Sequence, residues 1–267
     1  MFLLLWRNPC LLNLRTVILP NISSIYKTPK ICKNYHAMSI AGNLVKIEER
    51  IQAACSRAGR KRESVTLMGV TKFVPVSKIE EAFLAGITFF GESRVKEAAD
   101  KFAQINNLRD KFQLHMIGNL QRNKAKQAAQ IFDCIQSVDR DELITELGRH
   151  CAVREKPLEV LLELHTGEES KNGFANTDAL FRAAELVLGA ANLKPAGLMT
   201  MAPFTTDIQL IRSSFRQLVD AQSELAKRFP PLENWACLSM GMSNDFEIAV
   251  EEGSTMLRIG SAIFMEN

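Results

Sequence analysis

From Ile40 onward the apolar positions repeat one rhythm: a short run rich in β-branched residues, then apolar residues spaced three and four apart. Leu44, Ile47 and Ile51 set the helical spacing of a first amphipathic segment, 40–58. Eight strand candidates follow, at 65–70, 88–91, 112–117, 132–138, 158–164, 196–201, 235–239 and 256–264. The stretches between them carry helical patterns over 77–85, 93–104, 121–130, 139–152, 176–190, 207–228 and 244–252. Ser77 with Glu80, and Asp139 with Glu142, have the spacing of a capping box and mark two helix starts. Eight strands alternating with helices is the pattern of a (β/α)8 barrel of the TIM type, here with an additional N-terminal helix. A doubly wound open sheet is the alternative, because alternation does not say whether a sheet closes. Several strands are apolar at consecutive positions, as expected when both faces are covered. No internal repeat or low-complexity linker divides residues 38–267, so one α/β domain is predicted there.

Charge separates off the first segment. The chain of 267 residues carries 33 Lys and Arg against 30 Asp and Glu. Residues 1–37 hold Arg7, Arg15, Lys27, Lys30 and Lys33 and no acid, leaving 28 bases against 30 acids beyond them. With Pro9, Pro20 and Pro29 interrupting it, 1–37 is predicted to be a non-core extension. Two readings of it stand: a stretch upstream of true initiation at Met38, or an organellar transit peptide. A secretory signal fits least. A cytoplasmic location is expected, or a mitochondrial one if 1–37 is a transit peptide.

No run of about 18 apolar residues exists, so no ordinary transmembrane helix is expected. The six cysteines (Cys10, Cys32, Cys55, Cys134, Cys151, Cys237) form no C-x-x-C pair. That argues against a zinc ribbon or disulfide scaffold and fits a reducing compartment. The run Arg57-Ala58-Gly59-Arg60-Lys61-Arg62 lacks interleaved aromatics and reads as a solvated helix end rather than a nucleic-acid patch.

In such barrels the chemistry sits at the C-terminal ends of the strands. Lys72 ends the first strand, where desolvation could free its amine as a nucleophile; a lysine reaching to solvent is the alternative. After the seventh strand comes Ser239-Met240-Gly241-Met242-Ser243-Asn244-Asp245. Ser243 stands where a helix N-cap belongs, either as an ordinary cap or as part of a phosphate site. Arg258-Ile259-Gly260-Ser261 places a charge inside an apolar strand, which needs a partner, beside a glycine and a hydroxyl. Barrel phosphate sites recur after strands seven and eight, so these two places support each other. Gly167–Gly173 is either a charged solvated loop or a fourth site. His36, His115, His150 and His165 show no metal-ligand spacing, and His115 is either a core residue or one facing the mouth.

The chain resembles the pyridoxal-phosphate homeostasis proteins, single-domain barrels similar to the N-terminal domain of alanine racemase. The likeness covers about 40–264 and is carried by four motifs. They are the run from Leu238 through Ser243 with Asp245-Phe246 and Arg258-Ile259-Gly260-Ser261; Gly197-Leu198-Met199-Thr200-Met201-Ala202-Pro203; His115-x-Ile117-Gly118-x-Leu120-Gln121-x-Asn123-Lys124; and Glu169-x-Lys171-x-Gly173. The resemblance implies pyridoxal 5′-phosphate as cofactor, held as a Schiff base on Lys72. It implies phosphate contacts at Ser243, Gly260 and Ser261, Arg258 facing the pyridine nitrogen, and further cofactor contacts at Met240, Gly241 and Ser93. Three positions depart from the family pattern: Phe73 follows the lysine, Ser93 replaces an asparagine, and Leu164-His165 stands where an asparagine is usual.

The implied role is a carrier that keeps free cofactor low, supplies cofactor-dependent apo-enzymes and so influences amino-acid pools. A monomer is expected, with neither nucleic acid nor membrane as partner. Racemisation needs a second acid/base opposite the lysine. In the resembling racemases a tyrosine from a further domain supplies it, whereas both tyrosines here, Tyr26 and Tyr35, precede residue 38. The rival expectation is a racemase or lyase using His115 or His165, and a third is a barrel that has lost its cofactor.

Overall fold

In a computed structural model, which describes residues 39–167 and 172–265, eight strands follow in chain order. They are β1 Thr66–Val70, β2 Phe89–Glu92, β3 Gln113–Met116, β4 Cys134–Val138, β5 Leu158–Glu163, β6 Leu193–Met199, β7 Cys237–Ser239 and β8 Met256–Ile259. Each pairs in parallel with the next, and β8 returns to β1, with Met68 opposite Arg258 and Gly69 opposite Ile259. The sheet therefore closes as the predicted barrel, and the open-sheet alternative is excluded. The predicted extension at 1–37, and Glu169 and Lys171 of the loop after β5, lie outside the described residues.

Helices connect the strands on the outside: α1 Ile40–Arg57, α2 Val76–Leu84, α3 Val95–Phe102, α4 Ala125–Ile131, α5 Asp141–Cys151, α6 Thr177–Gly189, α7 Ile208–Arg228, α8 Phe246–Glu251 and α9 Ser261–Phe264. Between helices and sheet lies the main core, where Ile51, Ile79, Phe90, Leu114, Ile135, Phe215, Trp235 and Phe246 are fully enclosed. Each such side chain contributes about 1.5–3 kcal/mol by leaving water. Phe90 and Phe112 meet edge-on with centroids 5.5 Å apart, which adds directional preference to burial. Inside the barrel, Cys134, Leu161 and Met199 form a small separate apolar cluster.

Helix α1 is the predicted addition. Ser39 caps it, its hydroxyl accepting the Gly42 N–H at 3.1 Å, and it packs on α8 and α9. The basic run at its end is taken up within the chain. Arg57 pairs with Glu251 at 2.7 Å, Arg60 donates to the Val250 carbonyl at 2.6 Å, and Arg62 pairs with Glu48 at 2.6 Å. These cations are structural partners of α8 and α1.

Three local expectations are corrected. Helix α2 starts at Val76 with Pro75 at the cap, so Ser77 lies inside the helix and makes no cap hydrogen bond. Proline's fixed φ suits a helix start, and here it overrides the capping-box signal. Helix α5 is capped one residue later than expected, at Arg140, because Asp139 instead takes hydrogen bonds from Arg140 and from Asn119. The eighth strand stops at Ile259. Beyond Gly260 the apolar run Ala262-Ile263-Phe264 is helical, a case in which a short apolar stretch does not distinguish strand from helix. Among the described residues, no helix is long and apolar enough to cross a membrane.

Candidate functional site

The C-terminal ends of β7, β8 and β1 are adjacent, and glycines let them approach. A Cβ on Gly260 would stand 3.2 Å from both the Cβ and the carbonyl oxygen of Val70, so the end of β8 lies against the end of β1. Gly241, after β7, has φ +97°, and a Cβ there would reach 2.5 Å from that of Ala249. The turn it makes carries Ser243 to the mouth. The Ser261 hydroxyl donates to Ser243 Oγ at 3.0 Å, and the Ala262 N–H points to the same oxygen at 3.4 Å. Ser243 is thus not a helix cap, since α8 begins three residues later, at Phe246, with Asp245 at its cap. Instead two hydroxyls from successive loops converge. Ser261 is exposed and Ser243 half-buried, and a paired set of small donors facing solvent suits a phosphate group.

Below this pair lies a buried polar network. Arg258 Nη1 donates to the Ser239 carbonyl and hydroxyl, both at 2.7 Å, and Nη2 donates to the Thr200 carbonyl at 2.8 Å. The Ser239 hydroxyl passes its own proton to Gln136 Oε1 at 2.7 Å. The Gln136 amide then donates to His115 Nδ1 at 2.8 Å and toward Met256 Sδ at 3.1 Å. Because Nδ1 accepts, the network assigns the proton of neutral His115 to Nε2. Burial pushes the imidazole down to about 3, with the positive charge of Arg109 adding to the effect. His115 is therefore a satisfied core residue and an unsuitable base at neutral pH. The buried Arg258 finds carbonyl and hydroxyl acceptors, with Glu163 and Asp245 adding favourable charge. Glu163 is itself enclosed. Burial raises its carboxyl to about 7, Asp139 raising it further and Arg258 opposing.

Lys72 lies in a turn two residues past the end of β1 and is exposed. Among the described residues no hydrogen bond or ion pair engages its amine. Its neighbours are held. The Thr71 hydroxyl donates to Glu92 Oε1 at 2.7 Å, Lys101 Nζ donates to the Thr71 carbonyl at 2.6 Å, and the Phe73 N–H donates to Glu97 Oε1 at 2.8 Å. Ser93 lies at the β2 edge, its backbone pressed so close to Gly118 that a Cβ there would meet the Ser93 carbonyl oxygen at 2.4 Å. No hydrogen bond joins Ser93 to Lys72 or to the serine pair among the described residues. Met240 is fully enclosed, and Gly241 contributes its carbonyl to the Arg258 N–H at 3.0 Å.

Lys72, Ser243, Arg258, Gly260 and Ser261 thus lie in or just past three neighbouring strands, and Ser93 follows β2, which pairs with β1 on the side away from β8. The sequence did not single out Glu92, Glu97, Lys101, Gln136 or Glu163 as site residues. A signal existed for several of them. Glu92 ends the apolar run Phe89-Phe90-Gly91, and Gln136 interrupts Cys134-Ile135, both polar residues at positions a covered strand fills with apolar ones. Among the described residues no group of three or more metal-ligating side chains gathers.

A parallel barrel with a lysine at the end of β1 and a hydroxyl pair after β7 and β8 defines a class, and comparison with known proteins agrees. The model of the family "Alanine racemase, N-terminal domain" matches residues 43–267. The pyridoxal phosphate homeostasis protein of Vibrio cholerae is 39% identical over 231 residues, covering 85% of this chain and 96% of that protein. The protein of the same name from Aquifex aeolicus is 36% identical over 231 residues, covering 86% and 99%. Among solved structures, PipY of Synechococcus elongatus with pyridoxal phosphate bound superposes with a TM-score of 0.74 at 30% identity, covering 85% of this chain and all of that one. The chain belongs to the pyridoxal phosphate homeostasis protein family. The names of these relatives describe homeostasis and no catalysed reaction, in agreement with the expectation of a binding protein.

Proposed function

We propose that this protein binds pyridoxal 5′-phosphate and holds it as a Schiff base on Lys72. The observation that carries this reading is the meeting of β1 and β8. Val70 packs on Gly260, which sets a free lysine amine and a pair of phosphate-suited hydroxyls at adjacent strand ends. The bound cofactor supplies an aldehyde, with which a deprotonated amine condenses to form a C=N bond and release water. Ser243 and Ser261 would hold the phosphate, with Gly241 and Gly260 leaving room for backbone to approach it. Met240 supports that loop from the interior. Arg258, fixed by Ser239 and Thr200, would face the pyridine nitrogen and disfavour its protonation, weakening the ring as an electron sink. Ser93 would contact the cofactor from the β2 side.

A weak sink suits a carrier and a racemase alike, whereas the neutral, engaged His115 offers no base. The role we infer is buffering and supply of the cofactor to apo-enzymes in the cytoplasm, with secondary effects on amino-acid pools. The working unit is a monomeric barrel of residues 38–267, with 1–37 a separate extension. The test is the absorption spectrum of the protein mixed with pyridoxal phosphate. A borohydride-reducible Schiff-base band is expected, and Lys72→Ala abolishes it; a parent protein without that band sinks the reading. Sustained, Lys72-dependent racemisation of amino acids would replace the carrier with an enzyme.

A further inference from the structure

Lys72 lies in a turn whose other residues are fastened while its own amine is not. An ammonium has three protons to donate, and Lys101 has three acceptors in reach: the Thr71 carbonyl at 2.6 Å, Glu92 Oε1 at 2.8 Å and Glu97 Oε1 at 2.7 Å. The same Glu92 oxygen accepts the Thr71 hydroxyl, and the same Glu97 oxygen accepts the Phe73 N–H. Three charged side chains from β2 and α3 therefore fix the backbone immediately before and immediately after Lys72.

Two further observations say that this fixing is needed. Phe73 has φ +61°, a left-handed conformation unfavourable to a residue with a Cβ. Phe73 is 74% exposed, so burial does not offset that strain. The Glu97 bond and the Arg94 guanidinium, 5.5 Å from the ring centroid, are what hold it. Glu92 is fully enclosed, and its Oε2 has no hydrogen-bond partner among the described residues. A carboxyl kept in so unfavourable a place implies a demand on its other oxygen, which is the one tying Thr71 to Lys101.

We propose that Lys101, held by Glu92 and Glu97, is a positioning residue: it fixes the Thr71–Phe73 turn and with it the place from which the Lys72 amine meets an aldehyde. This deepens the Schiff-base reading and rests on it. It also separates the two lysines chemically, since the Lys101 amine is saturated with acceptors and that of Lys72 is free to react.

The test has one readout without cofactor and two with it. In the unloaded protein, Lys101→Met is expected to speed amide hydrogen exchange at Phe73 about tenfold or more, by raising the population of open turns. On mixing with pyridoxal phosphate, the same variant is expected to form the Schiff-base band about 10- to 100-fold more slowly, the loss that misplacing a reacting group brings. The induced circular dichroism of that band falls as well, and Lys101→Arg recovers part of each effect. If Lys101→Met does not fold, Glu97→Ala serves instead. It removes the Phe73 acceptor from a partly exposed helix position and is expected to change all three readouts in the same direction. Parent-like exchange, rate and dichroism in a folded variant, beside a parent protein that forms the Lys72-dependent band, overturn the positioning role alone. A parent protein that forms no such band overturns the cofactor reading and the positioning role together.

Discussion

The two edges of the site are built by opposite means. On the β7–β8 edge, Arg258 is enclosed, its acceptors are backbone carbonyls and a serine hydroxyl, and Gly241 and Gly260 sit where no Cβ fits without a shift. On the β1–β2 edge, Lys72 and Phe73 are exposed, and the turn is held by ion pairs reaching in from α3. Both edges contain a left-handed residue, Gly241 inside and Phe73 outside. The contrast teaches where rigidity comes from: packing fixes the buried edge, and charge-assisted hydrogen bonds fix the exposed one. A group that only orients a ligand can be locked into the interior. On the proposed reading the Lys72 amine needs solvent access to form and break a bond, and its backbone is tied down while its side chain stays free.

The strongest way to break the contrast is Gly241→Ala. A Cβ there adds left-handed strain and drives a carbon to 2.5 Å from that of Ala249. A loss of about 3 kcal/mol or more in urea unfolding is expected; a loss below about 1 kcal/mol would mean that this edge is as yielding as the other.

The next largest effect is at Glu163. Burial raises its folded-state value to about 7, from an ordinary 4.5. Between those values the unfolded chain releases its proton first, so this group's contribution to stability falls as pH rises from 4.5 through about 7. Glu163→Gln therefore gains up to about 3 kcal/mol on the parent at pH ~8 and little at pH ~4. Thermal melts of both proteins across that range check it, and parallel curves would show that the carboxyl is already ionised in the folded state. The smallest effect is at Phe73. Relief of left-handed strain in Phe73→Gly is offset by lost contact with Arg94 and by the freer unfolded chain, so stability changes by less than about 1 kcal/mol. A larger loss by calorimetry would mean that the exposed ring is a packing element after all.

Legibility in the sequence followed the same division. The strands and their order were readable because Leu67–Val70 of β1 and Val160–Leu162 of β5 are consecutive apolar runs between helical patterns, the mark of a sheet covered on both faces. The placing of Lys72, Gly260 and Ser261 just past strand ends, and of Arg258 within β8, was readable from the apolar runs that precede or enclose them. Closure of the sheet was not readable, since the pairing of Gly69 with Ile259 leaves no trace in either strand alone. Nor was the Lys101 cluster: on a helix, Glu97 and Lys101 look like an ordinary i,i+4 surface pair until β2 places Glu92 beside them. The boundary errors were local contests, of proline against serine before α2 and of strand against helix after Gly260.

The contact of Val70 with Gly260 carries a consequence for how the protein comes into being. Those two residues are separated by nearly the whole length of the barrel, and each supplies one side of the same site. During synthesis Lys72 emerges well before Ser261, the serine that completes the opposite side. A half-made chain thus presents the amine without the hydroxyl pair. Loading of any ligand that needs both therefore waits until the segment after β8 has been made and folded against β1.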